Sequence, residues 1–183
     1  MRIELGIGDR RQTLLLPDEI VQAVLLPNQI KHTRVGEEAV RWALQAPIGA
    51  PPLRETVRPG ERICIVVSDI TRPCPSWLIL PAVLDELSAA GVTDSDITVV
   101  FALGSHRSHT EVEMRHLVGD VVFKRVRCVD SDPDDCVHLG VTRRGTPVDI
   151  TRVVAEADRR ICLGNIEYHY FAGYSGGAKA IMP

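Results

Sequence analysis

The sequence has few cysteines, few aromatic residues and no long apolar run near its start. Its five cysteines are Cys64, Cys74, Cys128, Cys136 and Cys162, and none of them forms a CxxC pair. An odd number without such pairs argues against a disulfide framework and a zinc ribbon, so we expect reduced, mostly buried thiols. Because no apolar stretch follows the first charged residues, we expect neither a signal peptide nor a membrane anchor, and the predicted location is cytoplasmic.

An excess of charge of one sign is also missing. The 183 residues include 21 Lys and Arg against 24 Asp and Glu, which gives a formal net charge of -3. This balance provides no broad basic field, so we expect no nucleic-acid partner. A hydrophobic fraction of 45% with 25% charged residues is typical of an ordinary globular protein that can bury a substantial core.

From Arg62 onwards the sequence alternates apolar strand candidates with helical segments. The strand candidates are RICIVVSD, DITVVFALG, VRCVD, VDIT and RRICLGN. Continuous apolar runs of this length indicate strands that are covered on both faces. We therefore predict an α/β fold with a largely parallel, Rossmann-like sheet, helices on its faces and a mixed, strand-containing N-terminal section, all in one domain over residues 1–183.

Helix boundaries follow from spacing and capping residues. One apolar stripe after the first strand consists of Trp77, Leu80, Leu84 and Leu87. Ser108 and Glu111 have the spacing of a capping box, which predicts a helix to about residue 117. Residues 1–60 are less regular and contain prolines such as Pro27, with one helix candidate at Glu37–Gln45.

Three polar clusters follow directly after three of the predicted strands. They are SDITRP after the first strand, GSHR after the second, and the segment that begins at Asn165 and contains His169 after the last. Because parallel strands end at the same edge of a sheet, we expect the clusters to converge there, where open α/β sheets bind ligands.

Two of these clusters have plainer interpretations beside the functional ones. Asp69 and Arg72 form either a local salt bridge, with Thr71 capping the next helix, or a rigid anion site, in which Pro73 stiffens the loop that holds the guanidinium. His106 and His109 lack the spacing of a zinc-binding pair on one helix face, so no metal site is predicted.

The third cluster contains GYSGGAK, residues 173–179, whose glycines are typical of a phosphate-binding loop. It is not a Walker A motif, because Ala178 precedes Lys179 and Ala180 lacks the hydroxyl that would bind magnesium. The alternative is a glycine-rich turn with an exposed lysine.

Together, DITRP at 69–73, ALGSHR at 102–107 and GNIEYHYFAGYSGGAKAIMP at 164–183 resemble the amino-terminal domain of the nickel-pincer lactate racemase family. Members of that family racemise or epimerise 2-hydroxy acids with a nickel pincer nucleotide. This cofactor is a pyridinium mononucleotide that carries nickel and is bound covalently to a lysine. The resemblance implies an isomerase that works by hydride transfer to the pyridinium and takes a small 2-hydroxy acid as substrate.

The resemblance also assigns roles to three residues. It implies that Lys179 carries the cofactor and that His106 and His169 are the catalytic bases on opposite faces of the substrate. Histidine suits this role, since its ordinary pKa lies near 6.5 and lets it accept and return a proton near neutral pH.

Five further residues are predicted to contact the cofactor. The resemblance matches Asp69 and Arg72 to motif residues, and we assign Arg72 to anion binding and Asp69 to orienting Arg72 or a ribose hydroxyl. Ser175, Gly176 and Gly177 are assigned to the phosphate side of the nucleotide from glycine chemistry.

The resemblance further implies parts that this sequence does not contain. In the family, a histidine downstream of the lysine binds nickel, and a second domain closes the cleft. The sequence ends four residues after Lys179. We therefore expect a fragment that is inactive alone and holds no nickel. Its expected partners are the C-terminal domain and the cofactor-biosynthesis proteins, and an apolar interface exposed by truncation would favour a homo-oligomer.

Two other classes of function stay open from the residues. One is a non-catalytic nucleotide- or phosphate-binding module that uses the glycine loop without hydride chemistry. The other is a structural or assembly domain whose exposed sheet edge pairs with a partner or with a second copy. Neither class requires His106 or His169.

Overall fold

The computed structural model describes residues 1–26 and 28–182. Pro27 and Pro183, the last residue of the third motif, lie outside the described residues. The chain forms two compact units, Met1–Thr33 and Arg34–Pro183. No helix in the described ranges is both long enough and apolar enough to cross a lipid bilayer.

The first unit contains an antiparallel hairpin of β1 (Arg2–Ile7) and β2 (Arg10–Leu15). Gly8 lies in its turn with φ +56°, a conformation that glycine adopts at little cost. A short 3-10 turn, Asp18–Ile20, follows the hairpin. The hairpin confirms the predicted strand-containing N-terminal section.

The second unit contains the remaining helices and strands. In chain order these are α1 (Gly36–Gln45), α2 (Leu53–Thr56), β3 (Ile63–Ser68), α3 (Ser76–Ala89), β4 (Ile97–Ala102), α4 (Glu111–Val118), α5 (Asp120–Arg125), β5 (Arg127–Asp130), β6 (Cys136–Val141), β7 (Pro147–Thr151), α6 (Arg152–Ala155), β8 (Arg159–Leu163), β9 (Tyr168–His169) and β10 (Gly173–Tyr174). Short 3-10 turns lie at Asp94–Asp96 and Gly177–Ala180.

Four parallel strands form the central sheet in the spatial order β5-β4-β3-β8. The predicted parallel α/β sheet is therefore confirmed. Numbered by their order in the chain, the four strands lie in the order 3-2-1-4, as in the first part of the doubly wound nucleotide-binding folds. The direction of strand addition reverses between β3 and β8, and ligands of such sheets bind beside this point, at the carboxyl ends of the strands.

Both faces of the sheet are covered, which explains why its strands are continuously apolar. One face of β3, with Ile63, Ile65 and Val67, packs in a core cluster with residues of α3, α4 and α5. The other face, with Cys64 and Val66, packs in a second cluster with residues of β7 and α6. This second cluster also takes in residues of the turn at Gly177–Ala180, and so fixes the end of the third motif against the sheet.

The capping box predicted at Ser108 and Glu111 is wrong by two residues. The N-cap of α4 is Thr110, whose hydroxyl accepts a hydrogen bond from the Glu113 amide, and the Glu113 carboxylate accepts one from the Thr110 amide at 2.8 Å. The helix begins later than predicted because the backbone amide and the ring of His109 are bonded to Asp130, which keeps His109 out of the helix.

Two other details differ from the sequence prediction. Trp77 is 54% exposed, whereas Leu80, Leu84 and Leu87 are fully buried, so the buried stripe of α3 begins one turn later. The VDIT strand, β7, pairs antiparallel with β6 and stays outside the parallel sheet. The helix predicted at Glu37–Gln45 is confirmed as α1, which begins one residue earlier.

All five cysteines are free thiols in the structure. Cys64 and Cys74 are buried, and the other three are partly buried. Burial raises the pKa of the Cys64 thiol to about 12 and that of Cys128 to about 11. These two thiols therefore behave as small apolar side chains near neutral pH.

Candidate active site

A cavity of about 580 Å³ lies at the carboxyl edge of the parallel sheet. Its lining brings together residues that follow three different strands. They include Asp69 and Arg72 after β3, Gly104, Ser105 and His106 after β4, and Gly164, Asn165, Ser175, Gly176 and Lys179 after β8. The three polar clusters of the sequence therefore meet at one place, beside the point where the strand order reverses.

Asp69 and His106 form a close pair at this edge. The Asp69 carboxylate is 4% exposed, and its Oδ2 lies 2.7 Å from Nδ1 of His106. The other oxygen, Oδ1, accepts a hydrogen bond from the Thr71 hydroxyl at 2.9 Å. Because an ionised carboxylate only accepts hydrogen bonds, Nδ1 of His106 carries the proton. When the ring is neutral, Nε2 has a free lone pair and can act as a base.

The partner of Asp69 differs from the one that sequence analysis assigned to it. We expected Asp69 to orient Arg72 or a ribose hydroxyl. Its two carboxylate oxygens bond His106 and Thr71 and not the Arg72 guanidinium, while a contact with a ribose hydroxyl stays a prediction. The link to Arg72 runs instead through the backbone, since the Arg72 amide donates to the Asp69 carbonyl at 3.1 Å. Asp69 is thus placed to orient a base.

The loop that carries His106 is fixed to α4 by Arg107. The Arg107 guanidinium binds both oxygens of Glu113, at 2.6 and 2.9 Å. These hydrogen bonds lower the pKa of Glu113 to about 2. The same carboxylate belongs to the capping box, so one acidic side chain ties the loop to the start of the helix.

His169 lies in a different setting, on the small hairpin of β9 and β10. Its Nδ1 accepts hydrogen bonds from the Phe171 and Ala172 amides, both at 3.2 Å. Since amides only donate, Nδ1 is unprotonated and Nε2 carries the proton. His169 is partly buried and stacks against Tyr170, with ring centroids 5.3 Å apart. It is not among the residues that line the cavity.

Ser175 and Gly176 form a joint between the third motif and the end of β8. The Ser175 hydroxyl donates to the Asn165 carbonyl at 2.8 Å and accepts from the Glu167 amide at 2.9 Å. Gly176 has φ +83°, and a Cβ there would lie 3.0 Å from the Asn165 carbonyl oxygen. These contacts require a small residue, so the motif has a structural reason for Gly176 besides any contact with a phosphate. Gly177 is not among the lining residues.

The polar lining of the cavity fits an anionic ligand. Arg72 and Lys179 both face it, and neither forms an ion pair within 4.0 Å with the described part of the chain. The side-chain nitrogen of Asn165, Nδ2, is buried and has no hydrogen-bond partner there. Two cations and an unused amide donor around one cavity suit a phosphate or carboxylate, and Lys179 also offers an amine for a covalent bond.

Metal ligands do not cluster in the described ranges: no group of three or more His, Cys, Asp or Glu side chains could hold a metal ion.

Sequence analysis missed two contributors to this edge. Thr71 was considered only as a cap of the next helix, but that helix, α3, begins at Ser76 and the Thr71 hydroxyl supports Asp69. His109 was considered only as a metal ligand, whereas its side chain is 1% exposed and bound to Asp130. The Thr71 contact is local, two residues from Asp69, whereas the His109 contact joins residues 21 positions apart, which no local pattern indicates.

Comparison with known proteins finds relatives that match almost the whole chain. Residues 7–183 match the family model described as the lactate racemase N-terminal domain. The chain is 33% identical to the lactate racemase of Thermoanaerobacterium thermosaccharolyticum and 35% identical to that of Lactiplantibacillus plantarum, in each case over 99% of this chain. It spans 43% and 44% of the length of these two relatives.

Solved structures agree with the sequence comparison. The lactate racemase apoprotein from T. thermosaccharolyticum superposes with a TM-score of 0.79 at 33% identity, over all of this chain and 43% of that one. A crystal structure of a protein from Thermotoga maritima has a TM-score of 0.63 at 19% identity, over 85% of this chain and 39% of that one. The second likeness concerns the fold alone.

Proposed function

The chain belongs to the lactate racemase N-terminal domain family, and on this basis we propose that it supplies the acid–base residues and the cofactor tether of a 2-hydroxy acid racemase or epimerase. The relatives are more than twice as long, so the activity and the substrate are proposed for a protein of their length. The observation that carries the proposal is the convergence of the Asp69–His106 pair, Arg72 and Lys179 on one cavity.

The proposed cofactor is the nickel pincer nucleotide implied by the family resemblance, bound covalently through Nζ of Lys179. Arg72 would hold its anionic groups, because its side chain lines the cavity and forms no ion pair with the described residues, and the Asn165 side-chain amide beside it has an unused donor. When bound, the cofactor supplies an electrophilic pyridinium that accepts and returns a hydride. The residues of this chain would therefore handle protons and charge.

His106 is the better prepared base of the two histidines. Its Nε2 lone pair would take the hydroxyl proton of the substrate, and the positive charge that forms on the ring would be stabilised by Asp69, 2.7 Å away. A buried carboxylate in this position fixes the ring orientation and tautomer, as in other His–Asp catalytic pairs. Arg72, on the same loop as Asp69, would bind the carboxylate of the substrate or of the cofactor.

His169 requires a change before it can accept a proton. As placed, it offers an Nε2–H donor, because Nδ1 is occupied by the Phe171 and Ala172 amides. Use of Nε2 as a base requires the proton to move to Nδ1, which must first release both amides. We propose that the hairpin rearranges around His169 when substrate and the rest of the protein surround it.

The test uses the full-length protein, produced together with the cofactor-biosynthesis enzymes. Intact mass should show an adduct on the wild type that is absent from Lys179→Arg. Racemisation of 2-hydroxy acids, with lactate first, should fall by about 10²–10⁴-fold in His106→Gln and in His169→Gln. His116→Gln is the matched control, because His116 is exposed on α4.

Two results would contradict the proposal. Full activity in both histidine variants would support the structural or assembly domain instead. Nucleotide binding without an adduct on Lys179 would support the non-catalytic nucleotide-binding module. The cytoplasmic location and the inactivity of the 183 residues alone stay predictions within the same proposal.

A further inference from the structure

The side chain of His109 is buried, and both nitrogens of its ring form hydrogen bonds. Its side chain is 1% exposed, Nδ1 lies 2.6 Å from Oδ1 of Asp130, and Nε2 accepts a hydrogen bond from the Ile70 amide at 3.1 Å. The His109 backbone amide donates to the other Asp130 oxygen at 2.8 Å. Neither His109 nor Asp130 lines the cavity.

The partners of His109 permit only one tautomer. The Ile70 amide can only donate, so Nε2 must be the acceptor. Nδ1 therefore carries the proton and donates it to the Asp130 carboxylate. The ring also packs against Phe101, with centroids 5.2 Å apart. A neutral ring in a single orientation thus joins the segments that follow β3 and β4 to the last residue of β5.

This bond acts on the residue next to Asp69. Ile70 follows Asp69 directly, so fixing the Ile70 amide fixes the peptide plane between the two residues. That plane contains the Cα of Asp69, from which the side chain bonded to His106 at 2.7 Å extends, and the Asp69 carbonyl, which accepts the Arg72 amide at 3.1 Å.

We propose that His109 and Asp130 are positioning residues that set the Asp69–His106 pair and the turn that carries Arg72. The catalytic meaning of this inference rests on the proposed function, whereas the effect on Asp69 and His106 does not. Catalytic groups must be held close to their productive geometry, and small displacements cost large factors in rate.

Two substitutions of His109 by amide side chains distinguish a positioning role from a role in packing alone. In His109→Gln, the terminal oxygen can reach the place of Nε2 and accept the Ile70 amide. In His109→Asn, the shorter side chain can replace the Nδ1 donor to Asp130 but leaves the Ile70 amide without an acceptor. Both variants lose the ring contact with Phe101, so their difference reports the bond to Ile70.

The first measurements use the 183-residue chain and NMR. In His109→Asn, the Ile70 amide should exchange with solvent about 10-fold faster than in His109→Gln. The ¹⁵N shifts of His106 should show a smaller share of the Nδ1–H tautomer in His109→Asn, but not in His109→Gln. His138→Asn is the control, because His138 also pairs with an aspartate, Asp149 at 2.7 Å, but is exposed.

Asp130→Asn provides a second, nearly isosteric test. The new amide can donate to Nδ1 of His109, which would move the ring proton to Nε2 and set it against the Ile70 amide. The Ile70 amide should then exchange faster, as in His109→Asn. Equal effects in His109→Gln and His109→Asn, or an unchanged His106 tautomer in all three variants, would overturn the proposal.

Turnover in the full-length, cofactor-loaded protein distinguishes this inference from the proposed function. His109→Asn should lower kcat about 10-fold relative to His109→Gln, with little change in KM. If the wild type has no racemase activity but the NMR differences are present, the proposed function fails and the positioning role stands. If the wild type is active and the two variants do not differ, only the positioning role fails.

Discussion

The two histidines assigned to catalysis lie in regions built in opposite ways. His106 follows a buried strand of the parallel sheet and is held by a carboxylate that is 4% exposed. His169 lies on a hairpin of two-residue strands, where Tyr168, Tyr170 and Phe171 are 85 to 89% exposed. His106 is therefore supported by the core, whereas His169 is supported by the turn of its own hairpin.

The difference decides which ring nitrogen carries the proton. A carboxylate accepts, so it fixes the proton of His106 on Nδ1 and leaves Nε2 free. Backbone amides donate, so they fix the proton of His169 on Nε2. His106 and His169 are therefore held in opposite tautomers, although the sequence presents them as equivalent.

The largest expected effect concerns Asp69, which is bonded to His106. Asp69→Asn removes the charge that stabilises the imidazolium and allows the wrong tautomer of His106. We expect turnover of the full-length, cofactor-loaded protein to fall by about 10³–10⁴-fold. Asp85→Asn, which alters an exposed ion pair with Arg41, is the control. A loss of less than about 10-fold would show that Asp69 does not orient the base.

A second prediction compares how the two regions contribute to stability. Leu84 of α3 is fully buried, and Leu84→Ala should lower the free energy of unfolding by about 3 kcal/mol. Phe171 is 85% exposed, and Phe171→Ala should change it by less than about 0.5 kcal/mol. Urea unfolding followed by circular dichroism measures both. A large loss in Phe171→Ala would mean that the hairpin belongs to the core.

The smallest effect concerns the ion pair that anchors the His106 loop. Among the described residues, the hairpin of His169 takes part in no such pair. Hydrogen bonds from Arg107, and secondly from Thr110, lower the pKa of Glu113 to about 2 from its ordinary 4.5. Because the folded pKa is lowered, the anchor stabilises the fold above pH 4.5, and this contribution is lost as the pH falls towards 2. NMR titration of the Glu113 carboxyl carbon checks the value, and Arg107→Gln should raise it. An unchanged midpoint in Arg107→Gln would contradict the assigned cause.

Several elements could be predicted from the sequence, since they depend on local pattern. Six-residue apolar runs such as Ile63–Ser68 must be covered on both faces, which indicates a parallel sheet. Polar residues directly after such strands must lie at its carboxyl edge. The order of the three motifs also predicted the family, which the match over residues 7–183 confirms.

Other features required the folded chain. The sequence alone determined which residues reach the edge of the sheet, because strand ends and glycine turns depend on residues that are neighbours in the sequence. Only the tertiary structure decided that Asp69 binds His106, 37 positions away, and that His109 binds Asp130 and Ile70. Such bonds depend on the order of strands in space, and a local pattern of apolar and polar residues does not encode that order.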